Sequence, residues 1–454
     1  MGLSAAKHED ELDMVNEVAR KRPAIFYGWI VVAVAFVTLG VTFGVWYSFS
    51  VFFLAITEEF GWSKAAGSSI FSAFVISQAC MGVVAGHLQD RFGPRMVIPF
   101  GSVVLALSLW LTSNVESLWS FRITYGLMGG ASASLMAFSS HSAFIPKWFE
   151  RKRGLAMGIA MSGIGFGMLI IIPMVEWIIT VHGWRTAYRI MAAVALCFIG
   201  PLNLILSRRQ PQDLNLRPDG DDLDGTHGKH IPAMTMKVLD NDWATRTWTI
   251  STAIKTGRFW LLMTSFFFGS WVYQGILLHS ISSMVDSGVQ RDTAAFFYGI
   301  LGLAGSAGKI LFGYLSDIAG RERVNSIAGL VTAIGIACLL LIPIFPGSLL
   351  PLLFAVSFGL GYGAAAPLFP SVSADIFLGS SFGVIFAMLC LGGGFGGSSG
   401  AYVAGLLHDF GGDYILGFSL CFLSIFLSCL LIWLASPGKV RRMIKSEAFS
   451  RREA

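Results

Sequence analysis

The pattern Gly-x-Leu-x-Asp-x-x-Gly occurs twice in this chain. It reads Gly86-His87-Leu88-Gln89-Asp90-Arg91-Phe92-Gly93 and again Gly313-Tyr314-Leu315-Ser316-Asp317-Ile318-Ala319-Gly320. Gly313 stands 227 residues after Gly86, half of a 454-residue chain, and each copy closes a long apolar stretch. A repeat of that length in one register means two homologous halves. Any fold must therefore place two similar units side by side.

Hydrophobic residues make up 54% of the chain and charged ones 13%. A soluble domain carries about 25% charged residues, and a bilayer-spanning helix needs about 20 mostly apolar ones. Twelve such stretches are present, near 26–53, 67–89, 96–113, 119–141, 154–179, 185–206, 258–285, 293–316, 324–345, 348–370, 381–407 and 413–435. Helical runs of this length exclude an outer-membrane barrel, whose strands alternate over about ten residues. The expected fold is an all-α membrane protein, twelve transmembrane helices in two six-helix bundles. The bundles are 26–206 and 257–436, with a polar linker at 207–256 and polar tails at 1–25 and 437–454.

Charge distribution sets the orientation. Arg91, Arg95, Lys147, Arg151, Lys152, Arg153, Arg321 and Arg323 fall in alternate short loops, and the other loops hold Glu58, Glu59, Glu116, Asp286 and Asp413. The positive-inside rule then predicts that both termini are cytoplasmic. The net charge of +5 is too small to imply nucleic acid. The six cysteines lie inside apolar stretches, with no disulfide or metal spacing. His227 and His230, beside four aspartates in 219–224, read as solvated linker rather than a metal site. No HExxH or phosphate loop is present, so neither an enzyme nor a cofactor is expected.

Glycines mark close helix contacts. The fifth stretch contains Gly154/Gly158 and Gly163/Gly167, spaced to let membrane helices approach. Gly392, Gly394 and Gly396 of the eleventh stand 229 residues after Gly163, Gly165 and Gly167. This matching predicts paired, close-packed helices between the halves.

Only the second half carries a deep cation at the end of the repeat. Lys309 lies eight residues before Asp317, which is about 12 Å inside the helix end at about 1.5 Å per residue. A charge at that depth costs on the order of 3 kcal/mol and faces a bundle interior or a watered cavity. Gly305, Lys309 and Gly313 share one helix face, and 293–316 contains no acidic residue. An unpaired cation in a cavity is an anion site; the alternative reading is a lysine snorkelling to the inner headgroups. Tyr362, Tyr273 and Gln274 are candidate hydrogen-bonding partners for such an anion, each with an alternative reading as packing. Arg122, opening the fourth stretch, reads either as a cation snorkelling to the outer interface or as a second cation near the substrate path. His279 is the candidate proton carrier, because histidine titrates near neutral pH; the alternative is an outer-end histidine held by hydrogen bonds. Asp90, Arg91, Arg95, Asp317 and Arg321 form the candidate cytoplasmic gate, where the repeats would bring the halves together.

Twelve helices in two halves, with this motif after the second and the eighth, resemble the major facilitator superfamily. Tyr27-Gly28-Trp29, the run from Trp148-Phe149 to Gly158 and the basic residue ahead of the second motif are similar to the monocarboxylate porters and the related oxalate/formate antiporters. The resemblance implies two bundles rocking about a central site. It also implies that Lys309, where arginine is usual, binds a substrate carboxylate. Gly305 stands where the animal monocarboxylate porters place an aspartate, and the eleventh stretch lacks the antiporters' second cation. The expected function is therefore secondary transport of a small organic anion, a monocarboxylate first, by proton symport or by exchange; the alternatives are another organic anion or a neutral solute as cargo, or a membrane sensor with a transport-like fold.

Overall fold

The computed structural model describes residues 26–137, 140–141, 144–149, 153–214, 216–218, 234–345, 349–379 and 381–445. Residues 1–25, Arg151, Lys152, the aspartate and histidine run of the linker and the end of the basic tail lie outside them, as does the side chain of Asp90. Eleven helices among the described residues are long and apolar enough to span a bilayer. In chain order they include α1 Tyr27–Phe60, α2 Lys64–Phe92 and α3 Pro94–Thr112. The fourth predicted span, α4, is built of three pieces: Leu118–Phe121, a wide π turn Arg122–Gly129, and Gly130–Met136. It is followed by α5 Arg153–His182 and α6 Trp184–Leu206. The second half comprises α7 Gly257–Asp286, α8 Arg291–Ala319, α9 Arg321–Leu341, α10 Leu350–Phe377, α11 Phe382–Gly411 and α12 Ile415–Ala435.

Helix is the form these stretches must take, because lipid offers no partner for backbone N–H and C=O groups. Large apolar side chains such as Phe100, Trp110, Ile170 and Leu423 point outward, each more than half exposed. A soluble protein rarely exposes apolar area on this scale, so the outward surface fits a hydrocarbon surround. The repeated motif ends each of its helices in the same way. Gly93 and Gly320 adopt φ of +74° and +91°, a conformation that a Cβ disfavours. Pro94 or Arg321 then opens the next helix.

The glycine triplets dock the halves. A Cβ on Gly163 or Gly167 of α5 would lie 2.1 Å from the Phe36 carbonyl oxygen or 2.0 Å from that of Gly40, both in α1. One on Gly165 would lie 2.2 Å from the Gly302 oxygen of α8 in the other half. The eleventh helix repeats this arrangement: a Cβ on Gly392 or Gly396 would lie 2.9 or 2.0 Å from the Met263 or Phe267 oxygen of α7, and one on Gly394 would lie 2.5 Å from Ala79 Cβ of α2. The outer two glycines of each triplet thus pack within their own half, and the middle one crosses. Gly154 and Gly158, expected to pair as well, have nothing within 4 Å of a Cβ.

The linker departs from its expected form. Its strand β1, Met234–Val238, pairs antiparallel with β2, Arg441–Lys445, so the linker is clipped to the chain beyond α12. Such a pairing joins residues about 200 apart and has no local signature. Trp243 and Trp248 of the linker pack on the end of α10. Trp248 meets the Phe377 ring edge-on at 5.1 Å, and the Trp243 indole donates to the Ile376 oxygen at 2.9 Å. On the N-terminal side, Tyr27-Gly28-Trp29 and Trp148-Phe149 meet each other. Ring centroids are 5.6 Å apart for Tyr27–Trp148 and 4.9 Å for Trp29–Phe149.

Candidate functional site

Lys309 is half-buried on α8, where α10 crosses at backbone contact. A Cβ on Gly308 would lie 2.2 Å from the Leu360 oxygen, and one on Gly363 would lie 2.2 Å from the Gly305 oxygen and 3.0 Å from Lys309 N. Gly308, Gly359 and Gly363 are therefore the residues that close the α8–α10 seam. Gly305 and Gly313, on the lysine's own face, are less crowded. A Cβ there would meet the Tyr362 ring at 3.6 Å and Pro367 at 3.5 Å, ordinary contact distances. The ammonium has no ion-pair or hydrogen-bond partner among the described residues, so a half-buried positive charge is left for an anion to neutralise.

Tyr362 joins the halves beside this shelf. Its hydroxyl and that of Tyr47 in α1 are hydrogen-bonded at 2.5 Å. Tyr273 meets the Tyr362 ring edge-on at 5.2 Å. The sequence reading named Tyr362 and Tyr273 but missed Tyr47. A signal was available: Ser48 and Ser50 bond back to the Val45 and Tyr47 oxygens, a habit that bends helices, and α1 breaks at Ser48. Gln274 lies on a different seam. Its side chain packs where α11 Gly397 faces α2 Val75, and its Oε1 is buried without a partner.

Arg122 is not brought to Lys309. Its Nε donates to Ser69 Oγ at 2.8 Å, near the start of α2, and its guanidinium sits 4.7 Å from the Trp119 ring. This is the environment of the snorkelling reading, at the membrane face opposite the repeated motifs. His279 is fully buried between α2, α7 and α11, not in a loop. Its Nε2 lies 2.9 Å from the Ala401 oxygen and 3.1 Å from Ser68 Oγ. A carbonyl only accepts, so Nε2 carries the hydrogen, while Nδ1 is buried without a partner.

The halves are joined at the face opposite the motifs. The Arg291 guanidinium of α8 pairs with the Glu58 carboxylate of α1. The Asp409 carboxylate of α11 accepts the Lys64 and Ala65 N–H groups, each at 2.8 Å, and so caps α2 from the other half. Ser72 donates to the Ser398 oxygen at 2.7 Å. At the basic face each gate residue with a described side chain stays within its own half. Arg321 binds Asp317 at 2.6 Å and Asp375 at 3.3 Å, Arg95 donates to the Leu204 oxygen at 2.8 Å, and Arg91 is exposed. Gly86, Gly154, Gly158 and Gly383 have nothing within 4 Å of a Cβ, so the halves are not packed together at these positions.

Asp409 gives a direct check on this closure. Ser63 also caps α2, accepting the Ala66 N–H at 3.2 Å, so Asp409→Ala should leave the helix folded and remove one of the links between halves. Loss of a cap costs about 1 kcal/mol, which shifts a two-state population roughly fivefold. Labelling of cysteines placed on the Lys309 shelf should rise from the opposite face and fall from the basic face. Unchanged labelling would show that Asp409 does not hold the closure.

The Major Facilitator Superfamily model matches residues 34–397. Among curated relatives, monocarboxylate transporter 13 of Rattus norvegicus is 26% identical over 392 residues, covering 86% of this chain and 85% of the relative. The oxalate:formate antiporter of Oxalobacter formigenes is 24% identical over 382 residues, covering 83% of this chain and 85% of the relative. Among solved structures, a D-xylose-proton symporter superposes with a TM-score of 0.65 at 17% identity, over 90% of this chain and 97% of that one.

Proposed function

The chain belongs to the major facilitator superfamily, and on that premise we propose that it is a secondary carrier of small monocarboxylates. The observation that carries this reading is Lys309, a half-buried cation on the glycine-lined face of α8, without a carboxylate partner among the described residues. An anion leaving water needs a compensating charge, since a bare ion in low dielectric is very costly. The relatives named for monocarboxylates and for oxalate and formate support an organic anion as cargo. One cation favours one carboxylate over two. The basic face is the cytoplasmic one in this reading, with both termini there, and the structure is the inward-open member of an alternating pair. Lys309 holds the carboxylate, Tyr362 and Tyr273 contact the rest of the solute, and the Tyr47–Tyr362 hydrogen bond closes the way outward. Asp90, Arg91, Arg95, Asp317 and Arg321 form the cytoplasmic gate, and Arg95, Asp317 and Arg321 exchange their partners within a half for partners across it when the inner side closes.

Uptake into proteoliposomes of a panel of labelled acetate, lactate, pyruvate and oxalate, with and without an imposed pH gradient, tests this function. Saturable uptake of one of the first three is expected. Uptake of none of them would contradict the reading.

In this account His279 carries the coupled proton if transport is symport. Its ring is shut between the halves here, and parting α2 from α11 would expose it to the outside. His279→Gln should keep exchange of labelled for unlabelled substrate and lose accumulation driven by a pH gradient. Retained gradient-driven accumulation in this variant would rule His279 out.

A further inference from the structure

A cleft of about 210 Å³ lies at the basic face, lined by the ends of α8, α9, α10 and α12 and the chain that follows α12. Its charged lining is Arg321, Arg323, Lys439 and Arg441 against Glu322 and Asp375. The backbone builds it deliberately. Ser436 takes φ of +50°, which a Cβ disfavours, and turns the chain back over α9. The Gly438 N–H then donates to Glu322 Oε1 at 2.7 Å. Arg441 opens β2 and donates to the Asp375 oxygen at 2.9 Å.

The charges are not all spent within the protein. Arg321 is committed to Asp317 and Asp375, and Glu322 to Gly438. Arg323 and Lys439 are exposed and form no ion pair among the described residues. α9 also begins here without a side-chain cap, so its first N–H groups and its dipole add to the positive field. The cleft is bordered on the lipid side by Trp433, 47% exposed, whose indole donates to Ser326 Oγ at 2.8 Å. Leu430 and Leu434 on the same helix are exposed as well. Tryptophan at this level is the side chain of a membrane–water interface.

We propose that this cleft binds the phosphodiester headgroup of an anionic glycerophospholipid from the inner leaflet, held by Arg323 and Lys439, with its acyl chains along α12. Basic pockets between spanning helices at the cytoplasmic surface suit such headgroups. The exposed apolar border favours a lipid over a soluble phosphate. The assignment rests on the basic face being cytoplasmic, but binding in detergent does not depend on orientation or on carboxylate transport.

The test titrates the purified full-length chain in detergent with short-chain phosphatidylglycerol, with phosphatidylcholine of the same chain length, and with inorganic phosphate as competitor. Bound lipid is counted by native mass spectrometry. The parent should prefer phosphatidylglycerol, and Arg323→Gln with Lys439→Gln should weaken it about tenfold or more. The single variant Lys439→Gln should give part of that loss, and Arg209→Gln, on the same face but outside the cleft, none. Both cleft residues are exposed, so unchanged melting without lipid is expected and is checked. Equal binding by the double variant, or no preference for phosphatidylglycerol, would overturn the proposal. Displacement of the lipid by millimolar inorganic phosphate would overturn the lipid assignment in favour of a soluble phosphate.

Discussion

Lys309→Gln should lose nearly all carboxylate uptake while the protein still folds and inserts. Glutamine keeps a polar, hydrogen-bonding side chain of nearly the same length and removes the charge. Because Lys309 has no ionic partner among the described residues, no buried carboxylate of the protein is left unpaired by the change, and stability should be unaffected or slightly raised. The substrate carries the penalty instead. Losing one member of a buried, hydrogen-bonded charge pair costs about 2–5 kcal/mol, or roughly 30-fold or more in kcat/KM at about 1.4 kcal/mol per tenfold. Lys309→Arg should retain transport with altered selectivity, because a guanidinium fork fixes a carboxylate in one plane where an ammonium does not. Uptake in proteoliposomes reads both variants. Wild-type uptake by the glutamine variant would return Lys309 to a structural role.

Gly165→Val should be the second large loss. A Cβ there would lie 2.2 Å from the Gly302 oxygen and 2.4 Å from Ser306 Oγ, both in the other half. The neighbour is backbone, so relief requires α5 and α8 to part. The Gly165 N–H also donates to Ser306 Oγ at 3.2 Å, and that hydroxyl donates to the Ser162 oxygen at 3.2 Å. Overpacking a close contact costs about 1–3 kcal/mol, and more when backbone must move. In the proposed alternating access this seam is the pivot between halves, so uptake should fall at least tenfold, roughly the population shift of 1.4 kcal/mol. Gly158→Val is the informative contrast, since nothing lies within 4 Å of a Cβ at that position. It should leave this form intact and penalise only the form whose basic-face ends close. Cysteine labelling from the two sides distinguishes the outcomes. Normal uptake by Gly165→Val would show that the seam is not a pivot.

Much of this was legible because the membrane simplifies the problem. Apolar length alone located the helices, and the repeat of Gly86–Gly93 at Gly313–Gly320 gave the two halves. The glycine triplets announced close packing, but not which neighbour each glycine meets. Gly163 and Gly165 differ by one face of α5, and only the placement of α1 and α8 decides that one docks inside the half and the other across it. The fourth span was the least regular, because Gly126, Gly129 and Gly130 let α4 widen into a π turn against α2. Lys309 stood out through the cost of its depth. Tyr47 did not, because its role comes from Tyr362, 315 residues away. The same limit hid the Asp409 cap on α2, the β1–β2 clip and the basic cleft, each assembled from segments far apart in sequence. Arg122 and His279 were noticed for their chemistry, but their surroundings were not readable: one sits on Ser69 and Trp119, the other between three helices.

The central claim is that the Lys309 ammonium binds the substrate carboxylate. Equilibrium binding of the labelled monocarboxylate selected by the uptake panel, measured on purified wild-type protein and on Lys309→Gln, tests it without the complications of transport. The account predicts a saturable isotherm for the wild type and a Kd at least about 30-fold weaker for the glutamine variant, with the melting temperature of the unliganded protein unchanged. An unchanged Kd in the glutamine variant would contradict it.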